Sequence, residues 1–367
     1  MSSIVKILQA TERIERCERD MRKKWQDLPD ELILKILSYS EVKDLISCGQ
    51  VSKRTRNISH ENSLWKTAIL EKKIVKTELL EMIVLKGCKI LNLSNSTIVG
   101  HFNSSIRSQL RVLDLSQSAW GFPAKVYHEE RIEVLEELLF SCCSLQHLQM
   151  EGLLITAKMA FSICKNGKTL QVLNLKNAYV DKTSRPSDYL QHYLDYLNIT
   201  AYESVPNSNF PAIIKYCQEL KEVNLSFINE EGSLSREDLE FLAKNISPNV
   251  EKLNLSYLNF NDYHAKILLS RCNKIKVLIL DVTLVSTDSL KTIKQYLNLT
   301  LEELSLVDFD DVDFKDFLEL KSMPRLNMLK LKWIGRYYND VVEIQNLNHL
   351  RQLLPHIKIL GCTEFDI

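Results

Sequence analysis

The sequence predicts an α/β protein in which a three-helix module precedes a solenoid of strand–helix repeats. Two observations support this: a leucine spacing that recurs along most of the 367 residues, and a helical segment near the N-terminus that lacks it. Strands pack side by side more closely than helices do. We therefore expect a parallel sheet on the concave face of the solenoid and helices on its convex face.

The recurring pattern is Leu-x-x-Leu-x-Leu, with Val, Ile or Met at some positions. Successive copies begin about 25 residues apart, within the range of leucine-rich repeats. Degenerate copies begin at Cys88 and Leu354 and an irregular one at Leu194, so we expect about 10–11 repeats over residues 88–367. The eight clear copies begin at Leu110, Leu145, Leu170, Leu220, Val250, Ile275, Leu301 and Leu326.

Helical patterns lie between the strands. Ser235 and Asp238 form a capping-box sequence, and Ser286 opens a similar segment. One strand–helix unit cannot bury its leucines alone, whereas stacked units share a continuous core. Side chains between the leucines point to the opposite face of the sheet and suit one large protein partner. Candidates on this inner surface are Lys176, Asp281, Val307, Lys330 and Lys332.

Residues 25–66 have the pattern of three short helices. Pro29 fits the first turn of the first helix, and Ser40 is placed to cap the second. So small a module buries little apolar surface by itself. We expect residues 1–24 to be a charged segment, either partly helical or disordered, and residues 67–87 to be a helical connection. Four residues form the apolar face of the first helix: Leu32, Ile33, Ile36 and Leu37.

Three segments of this module resemble the F-box family in order and spacing: residues 28–37, 51–54 and 63–65. With the repeats, the chain resembles F-box/leucine-rich-repeat proteins. The resemblance implies docking on a Skp-type adaptor and, through it, on cullin and RING subunits. It implies adaptor-facing roles for Leu28, Pro29, Leu32, Ile33 and Ile36, with Leu45, Val51 and Trp65 in the docking face or the core. The alternative is that these residues only fill a three-helix core.

The module departs from the family pattern at two positions. Lys43 stands where many F-boxes have proline, and Thr55 stands where an aromatic residue is frequent. We expect the first to change the start of the second helix and the second to reduce buried area, and both to lower adaptor affinity.

The resemblance implies a non-catalytic substrate receptor of a ubiquitin ligase that promotes proteasomal degradation, with cell-cycle regulators among the candidate substrates. The rival hypothesis is a leucine-rich-repeat scaffold or inhibitor with no ligase role. The substrate, its degradation signal and the need for an accessory subunit stay open. Cations beside aromatic residues suit a phosphorylated or acidic segment, but the interpretation we favour is a solvated repeat edge with aromatic packing: Lys330, Lys332, Trp333 and Arg336.

Composition excludes several other functions. The formal net charge is zero, so nothing indicates nucleic acid. Only nine glycines occur and no phosphate-binding glycine motif is present, which argues against a nucleotide cofactor. The histidines are isolated, so we expect no metal site, and the acidic run at residues 308–313 lacks the glycine of a calcium loop. The nine scattered cysteines indicate reduced thiols. With no signal peptide or long apolar stretch, we expect a cytoplasmic or nuclear protein that binds no membrane.

Overall fold

The chain divides into two compact units, Met1–Ile69 and Leu70–Ile367. The computed structural model describes residues 25, 27–118, 129–180, 209–228, 234–308, 314–332 and 340–361. The predicted N-terminal charged segment and the irregular repeat at Leu194 lie outside the described residues.

The first unit contains three α-helices, as the sequence predicted. They are α1 (Asp30–Leu37), α2 (Val42–Val51) and α3 (Lys53–Ser59), followed by a 3₁₀ helix (Asn62–Trp65) and strand β1 (Thr67–Ile69).

Ser40 does not cap α2, contrary to the sequence prediction. The residue before the helix is Glu41, whose side chain makes no capping hydrogen bond. The backbone N–H of Ser40 donates to the carbonyl of Leu37 at 3.0 Å, so Ser40 belongs to the turn that ends α1.

The second unit is built on a long parallel sheet. Among the described residues, ten of its strands run in the order β3-β5-β6-β8-β10-β11-β12-β13-β14-β15, each parallel to its neighbour. Their bounds are β3 (Ile90–Asn92), β5 (Val112–Asp114), β6 (His147–Gln149), β8 (Val172–Asn174), β10 (Glu222–Asn224), β11 (Lys252–Asn254), β12 (Val277–Ile279), β13 (Glu303–Val307), β14 (Met328–Lys332) and β15 (Lys358–Leu360). Two further parallel pairs join β2 (Ile74–Lys76) to β4 (Thr97–Val99) and β7 (Leu154–Ile155) to β9 (Tyr179–Val180).

Helices alternate with these strands, and consecutive helices pack against one another. The predicted capping boxes at Ser235 and the cap at Ser286 are confirmed. The bounds are α4 (Thr77–Leu85), α5 (Glu129–Ser141), α6 (Ala157–Lys165), α7 (Asn209–Tyr216), α8 (Arg236–Asn245), α9 (Asp262–Arg271), α10 (Thr287–Leu297), α11 (Asp340–Leu353) and a 3₁₀ helix (Phe314–Ser322).

Only part of the predicted helical connection is helical. Within residues 67–87 the structure has the short strands β1 and β2 before α4. Ile74 and Lys76 are exposed while Val75 between them is buried, an alternation that favours a strand over a helix.

The repeat leucines form the core of the second unit. The first, fourth and sixth residues of all eight clear copies are at most 3% exposed. Neighbouring strands pair in register, so the buried Leu, Val or Ile at the second position of each strand lies beside that of the next, as with Leu253 and Leu278. The stacked core that the leucine spacing predicted is therefore present.

No helix among the described residues combines the length and the apolar character needed to cross a bilayer.

Removing a leucine from this stack should be costly. Leu255→Ala truncates a side chain with no exposure, and we expect it to lower the free energy of unfolding by about 2–5 kcal/mol through lost burial and a residual cavity. Urea denaturation followed by circular dichroism measures the change. Leu299→Ala makes the same truncation at a side chain 66% exposed and should cost under about 0.5 kcal/mol. Equal losses in the two variants would contradict this account of the core.

His264 takes part in the capping box at the start of α9, and its ring can titrate. Its Nδ1 accepts the backbone N–H of Asn261 at 3.3 Å, while the Asn261 side chain accepts the backbone N–H of His264 at 3.2 Å. The ring is 2% exposed. Burial lowers the pKa of His264 from its usual value of 6.5; the charge of Arg236 acts in the same direction and that of Glu240 opposes it.

Acid should therefore destabilise the second unit through His264. The unfolded chain binds a proton near pH 6.5 and the folded chain only at lower pH, so stability present above 6.5 is lost as the pH falls through the folded pKa. His264→Gln preserves a capping acceptor without titrating. The drop in urea midpoint between about pH 7.5 and about pH 5.5 should be smaller in this variant than in the parent. The same drop in both proteins would exclude His264 as its source.

Candidate functional site

Helix α1 carries two apolar stripes, and only one is buried in the first unit. Ile33 and Leu37, four residues apart, are 0% and 3% exposed. Leu32 and Ile36 have the same spacing one residue earlier and are 47% and 46% exposed. Residues four apart share a helix face, so the helix uses one face for its own core and leaves the adjacent one open.

Further apolar side chains of this unit are open in the same way. We refer to the exposed apolar set as Leu32, Ile36, Tyr39, Ile46 and Val51. Tyr39 is 84% and Val51 77% exposed. Single exposed apolar side chains are common, but five of them within residues 32–51 leave apolar surface for a partner to cover. This set is the part of the first unit best suited to receive a protein partner.

The guanidinium of Arg54 holds the start of α1 in place. Its Nε donates to Asp30 Oδ1 at 2.7 Å, and its Nη2 donates to the carbonyl of Leu28 at 2.5 Å. The planar guanidinium can serve both acceptors at once. Arg54 thereby fixes the Leu28–Asp30 entry to the helix, a positioning role that the basic character of residues 51–54 did not reveal.

Thr55 has a structural role in place of the aromatic residue frequent in the family. It is 5% exposed, and with Ser52 it forms a capping box at the start of α3. The Thr55 backbone N–H donates to Ser52 Oγ, and the Ser52 N–H donates to Thr55 Oγ1, both at 3.1 Å. Lys43, the other departure, is exposed in the first turn of α2.

The residues predicted to face an adaptor divide into two groups. Pro29, Leu32, Ile36 and Val51 are exposed, and Leu28 is half-buried. Ile33, Leu45 and Trp65 are at most 2% exposed and belong to the core of this unit, so contact between Ile33 and an adaptor stays a prediction. The Trp65 indole N–H is buried and donates to the carbonyl of Ser59 at 2.8 Å. Sequence analysis missed Tyr39 and Ile46, whose only signal was their apolar character just after α1 and in the middle of α2.

The second unit presents the open face of its parallel sheet, the face opposite the buried leucines. A groove of about 260 Å³ crosses strands β6 to β12 on this face. Its polar lining includes Gln149, Asn174, Asn224 and Asn254, which are paired in register on neighbouring strands.

The groove asparagines are held by turns that end the strands. Asn174 Oδ1 accepts the backbone N–H of Lys176 at 3.0 Å. Asn224 and Asn254 likewise accept the N–H groups of Ser226 and Ser256 at 3.1 and 3.0 Å. These bonds fix the orientation of each amide on the open face.

The residue after each of these N–H donors (Lys176, Ser226 and Ser256), and Val282 at the same place in its repeat, has a left-handed backbone conformation. Asn177, Phe227, Tyr257 and Val282 have φ values of 53–63°, and the N–H of each donates to a carbonyl of the next repeat. Phe227 and Tyr257 stack with ring centroids 3.4 Å apart. This aromatic pair lies three residues after the C-terminal ends of β10 and β11.

Three residues predicted to bind substrate are engaged within the unit. Lys176 lies 3.3 Å from Glu151 and Lys330 lies 2.5 Å from Glu303. Asp281 accepts the Ser305 hydroxyl at 2.7 Å and the Val307 N–H at 2.9 Å; burial raises the pKa of its carboxyl despite these bonds. These contacts join neighbouring repeats, and the role of the three residues in substrate binding stays a prediction.

The structure does not describe the side chains of the other residues predicted to bind substrate. Lys332 is the last residue of β14, with only its backbone described, and Trp333 and Arg336 lie outside the described residues.

Within the described residues, no three His, Cys, Asp or Glu side chains come together as metal ligands. The seven described cysteines are free thiols, and five are buried: Cys88, Cys142, Cys164, Cys217 and Cys272. Burial raises the pKa of Cys142 to about 11 and that of Cys217 to about 12, which keeps these thiols protonated and unreactive.

Comparison with known proteins identifies the class of the N-terminal module. Residues 25–71 match the family model described as F-box-like, so this segment is an F-box-like domain.

Among solved structures, a chain of the crystal structure of the Rad7 and Elc1 complex in yeast is similar to this one. The two are 14% identical, with 100% of this chain and 96% of that chain covered and a TM-score of 0.42.

The capping box of α3 provides a test of the module's construction. Ser52→Ala removes the side chain that caps the helix, and we expect it to lower the free energy of opening α3 by about 1 kcal/mol. Hydrogen exchange at the Arg56 N–H, which bonds to the Ser52 carbonyl, reports this value. Ser47→Ala removes an exposed hydroxyl bonded to the Lys43 carbonyl and should change it by under about 0.5 kcal/mol. Unchanged exchange in Ser52→Ala would show that the cap is not formed.

Proposed function

We propose that this chain is a substrate-recognition subunit of a Skp/cullin/F-box-type ubiquitin ligase. Its F-box-like domain would bind a Skp-type adaptor, and the open sheet face of the repeats would bind a protein substrate. The observation that supports this most is the exposed apolar set within the segment that matches the F-box-like family.

The exposed apolar set suits an obligate partner surface. Burying a Leu or Ile side chain completely stabilises a complex by roughly 1.5–3 kcal/mol, and Leu32 and Ile36 are each about half available for this. The bond from Arg54 to the Leu28 carbonyl keeps the entry to α1 in one conformation, which reduces the ordering cost of binding.

The proposal assigns the chain no catalytic residue. The adaptor would link it to cullin and RING subunits, and the repeats would hold a substrate close to a ubiquitin-loaded enzyme. Such proximity raises the effective concentration of the reacting groups without any reactive side chain in this chain. Ubiquitination would then direct the substrate to the proteasome, in the cytoplasm or the nucleus.

A finer resemblance bears on the substrate. Residues 91–96, 148–153 and 223–226 resemble corresponding strands of the S-phase kinase-associated F-box protein, a receptor for inhibitors of cyclin-dependent kinases. On this basis we include cell-cycle regulators among the substrates to test, with or without an accessory subunit. The support is weaker than that for the adaptor, because Asn-Leu-Ser strands occur in many leucine-rich proteins.

The rival proposal is a leucine-rich scaffold or inhibitor that joins no ligase. It shares the open sheet face but gives the exposed apolar set no partner. Adaptor binding separates the two functions directly.

The adaptor interface can be tested by truncating exposed side chains that the fold does not need. In Leu32→Ala/Ile36→Ala, we expect the affinity of the full chain for a purified Skp-type adaptor to fall by at least about tenfold, since anchors at such interfaces dominate binding. Isothermal titration calorimetry measures this change.

The matched control is Ile74→Ala/Leu85→Ala, which truncates two side chains 79% and 69% exposed in the second unit. It should bind the adaptor as the parent does. A parent that folds but fails to bind the adaptor at micromolar concentration would remove the ligase assignment and leave the scaffold.

A further inference from the structure

The groove on the open face offers hydrogen-bond donors. A backbone N–H can only donate, so the amide atom that accepts from Lys176, Ser226 or Ser256 must be the oxygen of the asparagine. This fixes the opposite atom of each amide as Nδ2 without reliance on the assigned flip. In the described structure, the Nδ2 groups of Asn174, Asn224 and Asn254 donate no hydrogen bond, and all three residues are half-buried at the groove.

These donors form a regular row. Gln149, Asn174, Asn224 and Asn254 are paired partners on four successive strands, β6, β8, β10 and β11. Neighbouring strands lie about 4.8 Å apart, so the row covers about 14 Å, the length of four or five residues of an extended chain. Carbonyl oxygens of a peptide backbone are uncharged acceptors for such donors.

The groove has no free charge with which to select an acidic ligand. Of its lining residues, Lys252 is the only cation and Glu222 the only anion, and they pair at 3.1 Å. Beside it, Lys276 pairs with Glu251 at 2.6 Å, and that bond lowers the pKa of the Glu251 carboxyl. The groove lining therefore carries no surplus positive charge, which recognition of a phosphorylated segment would require.

Apolar side chains complete the floor. Val172, Val277 and Ile279 line the groove and are half-buried, so they leave apolar surface for a ligand to cover. The amide row and this floor together complement a chain that presents carbonyls and small apolar side chains to the sheet.

We infer that the groove across β6 to β12 binds an uncharged, extended segment of the substrate, and that the amides of Asn174, Asn224 and Asn254 donate to its backbone carbonyls. The inference rests on the proposed function, since it names the substrate class of the open sheet face. Recognition then depends on backbone conformation and low charge, and phosphate plays no part in it.

The chain offers an isosteric test of these donors. Asn→Asp replaces Nδ2 by an acceptor and retains the oxygen that holds the turn. Asp114 already does this in its own repeat, accepting the Ser116 N–H at 2.9 Å. The test variant is Asn174→Asp/Asn224→Asp/Asn254→Asp. The control is Asn92→Asp, at the same kind of turn with Ser94 but outside the groove lining.

The probes are two displayed pools of random dodecapeptides, one without Asp, Glu, Lys and Arg and one with a central phosphoserine. Each is selected on the immobilised full chain, and selected peptides are measured by fluorescence anisotropy. We expect the uncharged pool to be enriched, and its peptides to bind the triple variant at least about tenfold more weakly than the parent or Asn92→Asp. Equal binding to parent and triple variant, enrichment of the phosphoserine pool alone, or no enrichment of either pool would overturn the inference.

Adaptor affinity of the same variants keeps this test separate from that of the ligase assignment. All of them should bind a Skp-type adaptor like the parent, because the substitutions lie in the second unit. Loss of peptide binding with adaptor binding intact concerns the groove alone, whereas a parent that binds peptides but no adaptor contradicts only the ligase role.

Discussion

The in-register stacking of the repeat leucines is the constraint on which the second unit depends. In this unit, each strand of the long sheet is only three to five residues long and buries a Leu, Val or Ile at its second position, as Leu253 and Leu278 illustrate. A single repeat of this size cannot exclude water from that side chain. The repeats on both sides exclude water from it. The same pairing of strands places the residues on either side of each buried side chain together on the open face of the sheet. The core and the groove are therefore two consequences of one register.

The in-register stacking explains why side chains on the open face of the sheet have fixed orientations although no other element that the structure describes covers them. A left-handed residue follows each of β3, β5, β6, β8, β10, β11, β12 and β13, because these strands end against the next in the same way, and four of these turns also hold an asparagine side chain. Cross-strand pairs such as Lys252 with Glu222 neutralise charge locally. What is left for a partner is a row of amides and a few aliphatic side chains, a surface better suited to an extended chain than to a compact charged group. The helical module follows a different principle: it buries one stripe of α1 and leaves the adjacent stripe for another molecule.

The sequence predicted the solenoid because a period near 25 residues is directly visible, and the buried leucines lie where the pattern places them. It could not separate Leu32 from Ile33. Both belong to one apolar face, and only the positions of α2 and α3 decide which stripe is covered. The strand at Ile74–Lys76 was too short for its alternation to be recognised. The pairing of Lys330 with Glu303 was hidden because the partners come from different repeats, 27 residues apart.

The central claim is that the open stripe of α1 and the end of α2 form a docking face while the sheet is independent of it. Hydrogen–deuterium exchange of the full chain, with and without an excess of purified Skp-type adaptor, tests this most directly. The account predicts slower exchange in Asp30–Leu37 and Val42–Val51 with the adaptor present, and unchanged exchange in β10 to β12. Exchange that stays the same in both helices, or that slows only in the sheet, would contradict it.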